Sequence, residues 1–334
     1  MAKAVAVELD GQYRQLKEEC GLLDRSDRGK LLVVGPEAAE YLQGQLTNDV
    51  EGLEPGEGCY AALLDRKGHI RSDMRVLNCS AAPFPPISGE RRTGSPEDGV
   101  IWIDTEPEPL AVVRRHLETY KIGREVEVVD VTEELAILSL IGPRGAEIAG
   151  APPLPEFACE PLSVGGLDCV AVGTREGIDL IAFAADARGL RAALRAAGAA
   201  EVSPEAAEIV RIEAGVPRFG AEMDVGTMPA EAGIVKAAVD FEKGCYVGQE
   251  TVARLHYRGK PNRHLRGLRL SAPAPTGVPL VLDGKQVGAL GGSCVSPALG
   301  PIALAVLRRE AEPGTEVTVG EGGVTARVVD LPFV

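Results

Sequence analysis

Two stretches of the chain repeat one pattern of apolar and turn residues. Leu31-Leu32-Val33-Val34-Gly35-Pro36 is followed by Ala39-Glu40, and Leu138-Ser139-Leu140-Ile141-Gly142-Pro143 by Ala146-Glu147. Each predicts a buried strand that turns at Gly-Pro into a helix, with proline at the first helical position. The offset preserves Ala and Glu as well as Gly-Pro, which favours a duplicated α/β unit over chance recurrence. Met74 to Leu77 and Val100 to Ile103 have strand character and predict a hairpin. The turn-rich stretch between them, about 80–99, reads as a mobile surface insertion or a lid. Pro109 to Tyr120 predicts a helix with Leu110, Val113, Leu117 and Tyr120 on one side. Glu125 to Leu140 reads as two strands around Thr132-Glu133-Glu134, Asp168 to Phe183 as a strand pair, and Ala184 to Ala200 as an alanine-rich helix. After His264 short apolar runs alternate with Gly, Pro and Asp up to Phe333, the pattern of a small β-barrel.

One helix start is well signalled. Ser203-Pro204-Glu205 supplies an N-cap, a proline and an acidic residue, and Gly215 and Pro217 mark the end. Ala206, Ile209 and Val210 define the inward stripe, and its i+7 position is Glu213. An inward carboxylate in the last turn opposes the helix dipole and needs a strong partner. An internal arginine such as Arg218 satisfies that need. So does a ligand with adjacent N–H donors, such as a pterin ring.

Composition narrows the class. At 334 residues two or three domains are expected. The net charge of −14 argues against indiscriminate nucleic-acid binding. Seven scattered cysteines without a Cys-x-x-Cys pair predict neither a disulfide framework nor a self-contained metal site, and the four histidines lack metal spacing. No run has the length of a membrane span or the core of a signal peptide, which predicts a soluble, cytoplasmic protein.

Three further stretches hold candidate chemistry. In Lys243-Gly244-Cys245-Tyr246-Val247-Gly248-Gln249-Glu250 two glycines flank a cysteine, and a neighbouring ammonium favours the thiolate. The bland alternative is a small buried thiol. Asp65 to Asp73 reads as a hairpin turn running into a strand. Asp73, at the strand start, is either a cleft acid or base or a solvated cap. Arg254, Arg258, Lys260, Arg263 and Arg266, interleaved with Tyr246, His256 and Tyr257, read as an anion patch or a solvated face.

Together these residues resemble the YgfZ-type folate-binding proteins, relatives of the glycine-cleavage T-protein (aminomethyltransferase). The matching stretches are Tyr41 to Asp49, Arg211-Ile212-Glu213-Ala214-Gly215 with Pro217, Phe219 and Gly220, and Lys243 to Glu250. Arg254, Tyr257, Arg258 and Gly259 follow, then Gly284 to Gly288 and Leu331-Pro332-Phe333. The Lys-Gly-Cys-Tyr-x-Gly-Gln-Glu stretch is what separates this family from T-proteins. The resemblance implies an α+β cloverleaf of interleaved ferredoxin-like units over residues 1–262 and a C-terminal β-barrel over 263–334. It implies tetrahydrofolate, or a one-carbon derivative, in a central channel, with Glu213 on the pterin and Lys243, Tyr246, Arg254 and Tyr257 as further binding residues. Cys245 and Asp73 are the implied reactive residues, with no metal. The implied role is assembly or repair of iron–sulfur proteins, including tRNA-modifying enzymes. The alternatives are folate-dependent aminomethyl transfer, or an RNA or protein binding module. T-proteins carry adjacent aspartates where this chain has Ser72-Asp73. Asp73 therefore matches either the catalytic aspartate or its neighbour, and the second match would argue against ordinary aminomethyl transfer.

Overall fold

The computed structural model describes residues 2–79 and 99–333, with side chains from Glu8 onward. Helix α1 (Ala2–Glu18) and strand β1 (Gly21–Asp24) come first. A unit then runs through β2 (Gly29–Val34), α2 (Ala38–Gln43), β3 (Gly58–Leu64), β4 (Ile70–Leu77), β5 (Val100–Thr105), α3 (Leu110–Tyr120) and β6 (Glu127–Asp130). A second follows as β7 (Leu135–Ile141), α4 (Gly145–Ala149), β8 (Cys159–Val164), β9 (Leu167–Thr174), β10 (Gly177–Phe183), α5 (Ala187–Ala196) and β11 (Ala200–Glu201). The sheet orders are β3-β4-β5-β2-β6 and β8-β9-β10-β7-β1-β11. They are the same order, with β1 wedged into the second, so the duplicated pattern is a duplicated topology with the units interleaved. The two strands read around Thr132 belong to different sheets.

Gly35 and Gly142 occupy the same turn in each unit, at φ 135° and 127°. A Cβ there would lie 2.1 Å from Glu125 O and 2.6 Å from Glu19 O, so neither position admits a side chain. The prolines that follow precede the N-caps Glu37 and Arg144 instead of opening the helices. A hydrogen-bonded turn (Ala38 N to Gly35 O, 3.0 Å; Gly145 N to Gly142 O, 3.1 Å) comes first, and proline's fixed φ suits that turn.

Alternation along the strands sorts two apolar surfaces. Leu31, Val33, Met74, Val76, Ile101 and Ile103 pack under α2 and α3 with Tyr41, Leu42, Val113 and Leu117. Leu138, Leu140, Ile178 and Leu180 pack under α4 and α5. The opposite faces meet each other, with Leu32, Leu77 and Trp102 against Ile137, Val170, Val172 and Ile181. Strands buried on both sides read as unbroken apolar runs. Tyr120, expected inward, is 49% exposed at the end of α3.

Helix α6 (Pro204–Glu213) leads into a long loop holding α7 (Val235–Ala238), then α8 (Gln249–Arg258). Seven strands close the chain: β12 (Arg263–Leu270), β13 (Pro279–Leu282), β14 (Lys285–Ala289), β15 (Ser293–Ser296), β16 (Gly300–Arg308), β17 (Glu316–Val319) and β18 (Val324–Val329). Their order is β14-β13-β17-β18-β12-β16-β15, a curled half-barrel with no ladder joining β14 to β15. The insertion read at about 80–99 lies outside the described residues except for Gly99. No described helix is long and apolar enough to cross a membrane.

Candidate active site

Charge gathers where the facing surfaces of the two α/β sheets stop being apolar. Asp73 and Arg75 alternate along β4 onto one face, level with Tyr60 on β3 and Asp104 on β5. Arg75 Nε donates to Asp104 Oδ2 (2.7 Å), and its Nη1 crosses to Asp179 Oδ2 on β10 of the other sheet (2.6 Å). Arg28 Nε donates to Asp104 Oδ1 (2.8 Å), Arg28 also pairs with Glu106, and Arg218 lies 3.7 Å from Glu106. Ion pairs therefore run Asp179, Arg75, Asp104, Arg28, Glu106, Arg218 across both sheets and onto the loop after α6. Burial alone would raise the Asp104 carboxyl, but Arg75 and Arg28 outweigh it and hold it down at about 2.

Asp73 stands beside this chain of pairs. It is the fourth residue of β4 rather than its start, which carries it past the turn and onto the face shared with Arg75. Its Oδ2 accepts from the Tyr60 hydroxyl (2.7 Å), while its Oδ1 is buried with no protein partner. Burial pushes its pKa up, with Tyr60 and Arg28 pulling the other way. Ser72 points to the opposite face, where its hydroxyl meets Thr105 Oγ1 at 2.7 Å. Of the Ser72-Asp73 pair, only Asp73 shares the face from which Arg75 reaches the second sheet.

Three more buried polar atoms lack a protein partner among the described residues: Arg75 Nη2, Ser139 Oγ and Arg218 Nε. Ser139 on β7 is the cross-strand partner of Asp179, so both side chains face Arg75. Arg25, one residue past β1, has no hydrogen bond or ion pair from its guanidinium among the described residues. Its pKa is lowered by burial and by Arg28. The facing surfaces thus carry one buried acceptor and several donors without partners among the described residues, whereas buried polar groups are ordinarily paired.

Glu213 is buried at 4% exposure, and its carboxylate is already engaged. Tyr13 Oη lies 2.9 and 3.1 Å from its two oxygens, Ser296 Oγ donates at 2.5 Å and Lys17 Nζ at 3.3 Å. Burial and then Glu213 push the Tyr13 hydroxyl up to about 12. Arg218, the internal partner considered from the sequence, pairs with Glu106 and Glu208 instead. Its position beyond Gly215 takes it away from the helix end. Glu213 thereby joins α1, α6 and the end of β15.

The cysteine motif is arranged differently from its sequence reading. Lys243 Nζ turns away from Cys245 and donates to the carbonyls of Gln43, Leu46 and Asn48 at 2.5, 2.7 and 3.0 Å. These carbonyls lie at and beyond the C-terminal end of α2, where an ammonium is favoured. Burial lowers the Lys243 pKa to about 8, with Asp49 and Cys59 opposing. Thr47 Oγ1 donates to Ala238 O, and Asn48 Nδ2 donates to Tyr60 O and Ala237 O. The Gln-Gly-Gln-Leu-Thr-Asn-Asp stretch is thus the seat on which the loop before α8 rests. Cys245 is exposed on that loop. Gly248 has φ 87° and would meet Asp65 O at 2.5 Å if it carried a Cβ, whereas Gly244 has open space. Tyr246 is buried with Lys243 over its ring at 5.2 Å. Arg254 and Tyr257 are exposed on α8, where Tyr257 packs edge-on to His256 and Phe241. Arg263 pairs with Glu231 and Arg266 with Asp330, so the basic stretch does not form one free patch.

No hydrogen bond or ion pair among the described residues joins Cys245 to Asp73 or Glu213. The residues that sequence reasoning missed are Tyr13, Lys17, Arg25, Arg28, Tyr60, Arg75, Asp104, Ser139, Asp179 and Ser296. A signal existed for three: Asp104, Ser139 and Asp179 are polar residues inside otherwise apolar strands.

Comparisons with known proteins agree with this architecture. Residues 3–243 match the model of the GCVT N-terminal domain, and residues 263–334 that of the glycine cleavage T-protein C-terminal barrel domain. The chain is 31% identical to an aminomethyltransferase of Rubrobacter xylanophilus, covering 97% of this chain and 86% of that one. It is 29% identical to an aminomethyltransferase of Streptomyces coelicolor, covering 96% and 88%. The crystal structure of the glycine cleavage system aminomethyltransferase T from Bartonella henselae superposes with a TM-score of 0.81 at 22% identity, covering 98% of this chain and 89% of that one.

Proposed function

The chain belongs to the glycine-cleavage T-protein family, and from that premise we propose that it is a tetrahydrofolate-dependent aminomethyl transferase with Asp73 as its reacting carboxylate. One observation supports this above the others: Asp73 Oδ1 is buried and has no partner among the described residues. The unsatisfied donors on Arg75, Ser139 and Arg218 complement the carbonyl and ring-nitrogen acceptors of a folate, and Asp73 complements its amine. Bound tetrahydrofolate would supply the amine that takes up a one-carbon unit. Asp73, its pKa raised by burial, is suited to orient that amine and hold a proton there, and Tyr60 fixes the carboxyl rotamer. Glu213 anchors the pterin in this reading. Adjacent N–H donors would replace Lys17, the longest of its bonds and the one from a side chain 45% exposed. Residues 1–262 carry the folate site, and 263–334 brace it through Ser296 and through Gly292 N, which donates to Glu222 at 2.8 Å.

The test is tetrahydrofolate-dependent product formation from an aminomethyl-carrying protein. Asp73→Asn is expected to lower kcat roughly 100-fold or more while tetrahydrofolate affinity, read by calorimetry, stays within a few-fold. Unchanged turnover in that variant would overturn the assignment.

A second reading is favoured by the exposure of Cys245 on a loop held in place by Lys243. It is the YgfZ-type role, a cytoplasmic folate-binding accessory to iron–sulfur proteins in which Cys245 meets a partner and Tyr246, Arg254 and Tyr257 frame the encounter. It gains weight if the protein binds tetrahydrofolate and forms no product, while Cys245→Ser fails to restore iron–sulfur enzyme activity in cells lacking the protein.

A further inference from the structure

Cysteine usage in this chain is uneven. Cys20, Cys59, Cys169 and Cys294 stand apart, and burial raises their pKa values to between about 11 and about 12. Cys79 and Cys159 are different. They lie 80 residues apart in sequence, yet their sulfurs are 2.8 Å apart, within about 0.8 Å of a disulfide bond length. Both are buried, at 4% and 6% exposure. Cys79 follows β4, the strand that carries Asp73, and Cys159 opens β8 in the other sheet. The backbone around them is also joined: Gly56 N donates to Asn78 O and Cys159 N to Gly56 O, both at 2.8 Å. Two thiols on two sheets are therefore held in register by main-chain bonds, beside the apolar contact that faces the sheets together.

We propose that Cys79 and Cys159 are the site of a reversible disulfide that ties together the two facing sheets, formed with hydrogen peroxide as oxidant. Donation from Cys79 S–H lowers the Cys159 pKa and raises that of Cys79, which marks Cys159 as the first nucleophile. Cys159 sulfur attacks one peroxide oxygen, the O–O bond breaks, and water leaves as Cys159 becomes a sulfenic acid. Cys79 sulfur then attacks the Cys159 sulfur, the S–O bond breaks, and a second water leaves as the S–S bond forms. Two thiols have lost two hydrogens and two electrons to one hydrogen peroxide. A dithiol reverses the step by exchange and becomes a disulfide itself. Small size suits the oxidant to a buried pair, and the dithiol reaches it when the fold opens locally.

The experiment uses the full chain as Cys245→Ser, which removes the exposed thiol. After hydrogen peroxide treatment, denaturation and alkylation, two fewer thiols are expected. Non-reducing peptide mapping should yield one Cys79–Cys159 linked pair, lighter by two hydrogens and lost with a dithiol. The oxidised form should melt roughly 5 °C higher or more, because the link constrains a long loop in the unfolded chain. In Cys79→Ser the link should vanish and a sulfenic-acid probe should label Cys159; Cys159→Ser should show neither. An unchanged thiol count, at a peroxide dose that oxidises Cys245 fully in the parent, would overturn the proposal. So would a link mapped to another pair. The mapping on the parent chain stands even if either serine variant fails to fold.

Discussion

Asp73 and Asp104 are two buried carboxylates on one sheet face with opposite fates. Asp104 has two guanidinium partners and is held at about 2, so its contribution is present above the unfolded value and lost as pH falls through about 4 toward about 2. Asp104→Asn should lower stability by roughly 2 kcal/mol or more near neutral pH, because Arg75 and Arg28 lose their shared anion. The gap between the variant and the parent in denaturant melts should shrink on acidification. Asp73 behaves the other way. Its pKa is raised in the folded state, so its ionisation costs stability as pH rises through the raised value, and the cost is absent in acid. Asp73→Asn should raise the neutral-pH melting temperature while activity falls, with the stability gain vanishing at low pH. A melting temperature that drops at neutral pH would show that the buried carboxylate is better satisfied than its orphaned Oδ1 indicates. Asp104 and Asp179 were legible as lone acids in apolar strands. Their partners were not, since Arg28 lies 76 positions from Asp104 and Arg75 lies 104 positions from Asp179. Proximity in sequence misled at Lys243, whose four-carbon stem reaches backbone carbonyls of another element rather than the adjacent cysteine.

Local signals served best where the element itself supplies the partner. Ser203 caps α6 as its sequence indicates, accepting from Ala206 N at 3.3 Å. Ser203→Ala should cost about 1 kcal/mol in a denaturant melt. The loop before α8 is set by its dock on the segment after α2. Lys243→Met would leave three carbonyls without their donor, so amide exchange should quicken over residues 44–48 and 239–248 and leave the half-barrel protected. Uniform quickening across the chain would mean that the dock is not a local unit. Gly-Pro at Gly35 and Gly142 was read correctly as a strand end, yet the helix start was placed two residues early, because a turn and a first helical residue both accept proline.

At the scale of the molecule, Glu213 joins three elements through Tyr13, Lys17 and Ser296. Glu213→Gln should lower stability by about 1–3 kcal/mol and free the N-terminal helix to exchange before the sheets do. Tetrahydrofolate should protect the cleft strands by mass action, and that protection should weaken in the same variant. The sequence by itself determined the repeated strand–turn–helix unit, the strand-rich segment after His264, the α6 cap and the inward set of Glu213. These depend on periodicity and on bonds within a few residues of one another. Which face of β4 meets the other sheet, which arginine answers which aspartate, and what holds Glu213 were decided only in the tertiary structure. Charged side chains are paired by distance in space, and the facing of the two sheets and the packing of α1 on α6 bring together residues that the chain keeps more than a hundred positions apart.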